Sequence, residues 1–176
     1  MFQRDLSFVH KYFIAEKQES LLFIFIGLIA IIISAVFFLF IKSNLSFFKG
    51  AAIPLLFIGL LLGVVGYTVY ARSNKQRLDV AYNMGIEPDA FINNQELPRM
   101  KTVMKNFIIY RNTEIILAIV GVLLFFYFRR NTDRPFWSGL GMTLTIMALT
   151  ALLADYFAEK RGALYIRELE NFTSAK

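Results

Sequence analysis

The chain has 176 residues, 57% of them hydrophobic, a formal net charge of +6 and no cysteine. That is too apolar for an ordinary soluble domain, and it excludes a disulfide framework, thiol redox chemistry and cysteine-rich metal sites. The basic residues lie in short segments flanking apolar runs, a pattern that points to anionic lipid headgroups and a bilayer as partner and away from nucleic acid.

Residues 1–20 place Phe2, Leu6, Val9 and Phe13 at helical spacing, with Arg4, Lys11 and Lys17 elsewhere on the wheel. Two readings fit: an amphipathic helix lying on a membrane surface, or a solvated extension of the span that follows. Leu21 to Ile41 carries no charge and would cover about 31 Å as a helix, the thickness of a bilayer's hydrocarbon core. Asp5, Glu16 and Glu19 precede it and KSNLSFF follows, so it is expected to be a retained span and not a cleaved signal.

After the connection SNLSFFK, residues 50–71 form a second uncharged run, with Pro54 expected in its first turns, where a missing backbone donor costs least. Gly59, Gly63 and Gly66 make a small-residue stripe suited to close helix packing, either within the chain or between copies. Residues 73–106 are the one long polar stretch, read as a cytoplasmic loop too short for a core of its own. The second helix is expected to continue to about Met84 and stop at Gly85, with a turn through IEPDAFINNQE and a new helix opening at Pro98.

The third span, 107–128, has only fourteen uncharged residues from Ile115 to Phe128, about 21 Å, so it must borrow the upstream FIIYRNTE. Glu114 then sits about one turn inside the apolar slab. After NTDRP, the fourth span, 136–157, is rich in small residues, Gly139 and Gly141 among them, and is the candidate for the bundle centre. The first span, poor in such residues, is expected to be the most lipid-facing. At the C-terminus Ala158, Gly162, Tyr165, Leu169 and Phe172 share a helical face expected to dock on the membrane surface or on the central loop.

The fold class is therefore all-α integral membrane protein: a single four-helix domain over 1–176, two hairpins, with amphipathic terminal segments. Fourteen Lys and Arg residues fall on the side of the termini and the 73–106 segment against five in the two short connections, which puts both termini in the cytoplasm. Sliding the chain by 89 residues pairs Phe47 with Phe136, Phe48 with Trp137, Gly50 with Gly139, Tyr67 with Tyr156 and Arg72 with Arg161. Either a duplication or the common grammar of membrane helix ends accounts for five matches.

Glu19, Arg72, Arg111, Glu114 and Asp155 form the candidate polar cluster, placed at comparable depth, with Arg111 or Arg72 expected to pair with Glu114 or Asp155. Its functional reading is a vestibule for an ion, a headgroup or a peptide, and its plain reading is a charge network that fixes helix depth. No catalytic residue, metal site or cofactor is expected: His10 is the one histidine, and GLGMTLT at 139–145 lacks the strand and loop of a phosphate cradle. Asn44-Leu45-Ser46 matches a glycosylation acceptor pattern but lies almost at the membrane surface. The expected function is a non-enzymatic interaction, scaffold or regulatory subunit in a bacterial cytoplasmic membrane, with a protein partner at the 73–106 segment. The alternative is a small transporter or channel component acting as a homo-oligomer.

Overall fold

The computed structural model describes residues 5–131 and 133–174, and no strand occurs among them. Asp5 accepts hydrogen bonds from the backbone N–H and the hydroxyl of Ser7, both at 2.8 Å. This N-terminal anchoring starts α1, which runs unbroken from Ser7 to Leu39. α2 spans Leu45–Ile86, α4 spans Leu97–Phe128 and α5 spans Pro135–Ser174. Between α2 and α4 lie a one-turn helix, α3 (Pro88–Phe91), and a π-helical turn, Ile92–Glu96. Among the described residues, four helices are long and apolar enough to cross a membrane. At 42 residues α2 is about 63 Å long, twice the hydrocarbon thickness, so its apolar half must continue into a polar extension.

Those extensions meet at one end and form a head. Its core joins Val9, Tyr12 and Phe13 of α1, Val80 and Met84 of α2, Ile92 of the π turn, Leu97 and Met100 of α4, and Tyr165 and Leu169 of α5. The apolar face expected for residues 6–13 is real, but it packs into this core; it neither lies on a surface nor stays solvated. Val9 and Phe13 are almost fully buried; Phe2 lies outside the described residues. The C-terminal face docks on the central segment, with Gly162 against Met104 and Met100. The 73–106 stretch thus supplies part of a shared core, and most of it is helix.

Three local expectations are corrected. α2 begins at Leu45, set by the left-handed Asn44 (φ 46°), whose carbonyl accepts from Phe47 N–H. Pro54 therefore sits in the helix interior and not in the first turns. IEPDAFINNQE turns only at Glu87 (φ −134°) and is otherwise helical, because Pro88 at the first helical position and Asp89 in the first turn are N-terminal helix signals. The span with the least buried surface is α4, where Gly121 alone is buried beyond residue 100; α1 buries Gly27, Ala30 and Ser34 in its apolar half.

α1 packs along α2, α4 along α5, and α2 with α5 joins the two pairs. Each crossing rests on glycines. Gly27 meets Gly59 between α1 and α2, Gly121 meets Gly141 between α4 and α5, and Gly50 and Gly139 bring α2 to α5. A Cβ at any of these would collide with backbone, so the close approach requires glycine. Gly59 and Gly66 both face α1, so their part of the stripe serves packing within the chain; Gly63 has open space beside it. Ser34 adds a hydrogen bond to the Ala52 carbonyl at 2.8 Å. α2 and α5 share the centre: α2 packs on α1 and α5, and α5 on α4 and α2, so the central place expected of the fourth span alone is held jointly with the second.

Candidate functional site

Two polar layers stack at the head end of the apolar segments. In the first, Arg111 of α4 pairs with Glu159 of α5 at 3.1 Å, while the carboxyls of Glu114 and Asp155 come within hydrogen-bonding reach of each other. The expected pairing of Arg111 or Arg72 with Glu114 or Asp155 is not formed. α5 continues as helix past Asp155, so Glu159, one turn further on, meets Arg111 first. Glu19 of α1 pairs with Arg161 of α5. Arg72 acts on Glu16 instead, and Ser73 donates to the Glu16 carboxylate at 3.2 Å. Burial raises the Glu16 pKa, opposed by Arg72 and by the Ser73 hydrogen bond. Four of the five residues of the candidate cluster thus come together. Arg111, Glu114 and Asp155 gather between α4 and α5, and Glu19 of α1 reaches the same part of α5, where it pairs with Arg161 and acts on Asp155, whereas Arg72 lies apart beside Glu16.

The second layer lies deeper in the head. Glu96, at the end of the π turn, is only 2% exposed. Its carboxylate accepts two hydrogen bonds from Arg99, at 2.7 and 2.8 Å, and one from the Tyr165 hydroxyl at 3.0 Å. This is the bidentate geometry in which a guanidinium is held most firmly. Burial opposes the Arg99 charge, but the Glu96 carboxylate outweighs it and the pKa of Arg99 rises. Burial, reinforced by Glu96, also raises the pKa of Tyr165. The Tyr12 ring stacks on that of Tyr165 at 4.1 Å, and burial with Glu16 nearby pushes its phenol up to about 12.

Glu16, Ser73, Glu96, Arg99, Glu159 and Arg161 were not singled out from sequence as site residues. Two signals existed: Glu96 and Arg99 stand three apart, a helical pairing distance, and Glu159 lies one turn from Asp155. No group of three or more His, Asp or Glu side chains suited to a metal occurs among the described residues. No family model, curated protein or solved structure matches this chain.

Proposed function

We propose that the chain is a membrane protein whose four apolar helices span the bilayer as two hairpins, α1 with α2 and α4 with α5. The head and both termini face the cytoplasm of a bacterial cell, the membrane being the cytoplasmic (inner) one. It acts as a non-enzymatic interaction or regulatory subunit, and the head makes the protein contact. The observation that carries this reading is the stripe of Leu78, Tyr82 and Ile86 on α2, each about 60% exposed or more. These residues recur one turn apart beyond Ala71, where the uncharged run ends, so lipid tails do not cover them. Replacing all three with serine removes the stripe without touching the head core. The expected result is an intact thermal transition with loss of the protein partner recovered in mild detergent. Solute flux from the purified protein in liposomes sinks the reading.

One observation favours the transporter alternative: Glu114 and Asp155 meet about one turn inside the apolar region, and two acids in contact form a seat for a proton or cation. Under that reading, the double change Glu114→Gln with Asp155→Asn abolishes flux while protein abundance stays normal.

A further inference from the structure

α2 and α5 touch backbone to backbone at Gly50 and Gly139, and two helices that cross in contact draw apart on either side of the crossing. Where α1 closes the angle between them, a cleft of about 260 Å³ remains, lined by Phe37 of α1, Phe48 and Leu55 of α2, and Thr143, Ile146 and Met147 of α5. Leu55 and Met147 stand about 8 and 12 Å inward of the crossing glycines, counted along their helices. At the end away from the head the Phe37 and Phe48 rings meet edge to face, 5.0 Å apart. The walls present no polar atom, because the Thr143 hydroxyl is turned to the Gly139 carbonyl, to which it donates at 3.1 Å. Water finds no partners in such a space, and an empty one leaves its walls without atoms to pack on.

We propose that this cleft seats one acyl chain of an anionic phospholipid, an inference that rests on the membrane reading above. Phe37, Leu55, Thr143, Ile146 and Met147 belong to the uncharged runs 21–41, 50–71 and 136–154, so the cleft opens at the depth of hydrocarbon tails. A tail packs on its lipid neighbours as well as on leucine, so the chain by itself does not choose this lipid over others. The headgroup does. Lys49 directly follows Phe48, and Lys42 stands five residues past Phe37, so both lysines belong to the boundary end of the cleft. Both are exposed, and neither makes an ion pair among the described residues. That whole end of the molecule carries Lys42, Lys49, Arg129, Arg130 and Arg134 against a single acid, Asp133, which favours a headgroup of net negative charge.

The test uses the full-length protein in an uncharged detergent, loaded with phosphatidylglycerol or with phosphatidylcholine of the same chains, and bound lipid is counted by native mass spectrometry. One phosphatidylglycerol should be retained, in preference to phosphatidylcholine by about tenfold, within what two lysines supply. Ile146 is half exposed on the cleft wall, so Ile146→Trp fills the cleft and should lower phosphatidylglycerol retention about tenfold, since the chain loses its walls. Lys42→Gln with Lys49→Gln changes two exposed positions and should bring phosphatidylglycerol down to the phosphatidylcholine level. No retained phosphatidylglycerol, retention that Ile146→Trp leaves unchanged, or a preference that the lysine variant keeps would each overturn the proposal. Washing native membranes with alkaline carbonate separates two kinds of failure. Protein that stays in the pellet but retains no lipid overturns this inference alone; protein released to the supernatant overturns the membrane reading with it.

Discussion

Gly50 and Gly139 face each other's helices reciprocally: Gly50 lies against the Phe136 carbonyl and Gly139 against the Phe47 carbonyl. Phe47 and Phe136 each stand three residues before the glycine of their own helix. This is the reciprocity that a two-fold axis between α2 and α5 requires, and it falls on the 89-residue register read from sequence. The ends of α1 and α4, Leu39 and Phe128, and the starts of α2 and α5, Leu45 and Pro135, recur at about the same interval. The head breaks the symmetry, because among the described residues α3 and the π turn have no counterpart.

Gly139→Leu should therefore force α2 from α5 and cost on the order of 3 kcal/mol or more, the upper range for overpacking against backbone. Gly63→Ala, where a Cβ meets nothing within 4 Å, should leave stability unchanged or slightly raised. Thermal unfolding of the two purified variants, with the monodisperse fraction in size-exclusion chromatography, checks the contrast. Equal behaviour would mean that the crossing does not depend on the glycine.

The apolar helices and their order were legible because three uncharged runs, 21–41, 50–71 and 136–154, have few alternatives, and the fourteen-residue run 115–128 needed only its upstream turns to reach the same length. The face of Ala158, Gly162, Tyr165 and Leu169 was legible from spacing, and all four are buried. What sequence could not show is where such a face goes. Val9 and Phe13 read as lying on a membrane surface or on a solvated extension, and only the convergence of four helix extensions puts them against protein. Glu96 was hidden for a related reason: a carboxylate in a polar stretch looks solvated until its Arg99 and Tyr165 partners are placed around it. Arg111 was assigned the wrong acid because the choice between Glu114 and Glu159 depends on helix rotation.

Glu96→Leu should destabilise the head by about 3 kcal/mol, since it leaves the Arg99 guanidinium and the Tyr165 hydroxyl without their common acceptor. Adding Arg99→Met should recover much of the loss, because the unpaired charge is then gone. A double-mutant cycle from chemical denaturation measures the coupling, and strict additivity would show that the three groups are independent.

Tyr12 predicts an alkaline limit. Its phenol is pushed from 10.0 in the unfolded chain up to about 12 in the fold by burial and then by Glu16, so the native state keeps a proton that the unfolded state gives up. The stability this represents is fully present below pH 10 and is lost as pH rises toward 12, in total about 3 kcal/mol. Tyr12→Phe should remove the Tyr12 share of that loss and leave the share of Tyr165, which burial and Glu96 raise in the same direction, while keeping the stacked contact between the two rings. Unfolding midpoints followed across this range, with tyrosinate absorbance as the monitor of ionisation, test the sign directly. A wild-type profile no steeper than that of the variant would place the Tyr12 phenol in water.

Orientation is open to a direct test because the chain has no cysteine of its own. Twelve described basic residues on the side of the head against five at the opposite end predict a cytoplasmic head under the positive-inside rule. Ser46, exposed at the start of α2, and Asn94 and Ser174, exposed in the head, offer single-site probes that disturb no packing. In intact cells a membrane-impermeant maleimide should label the Ser46→Cys variant at once. The Asn94→Cys and Ser174→Cys variants should react only after permeabilisation. The reverse pattern would invert the protein and put the head outside. Labelling of Ser46→Cys and Asn94→Cys from the same side would mean that α2 does not cross the membrane, and the two-hairpin arrangement would fall with it.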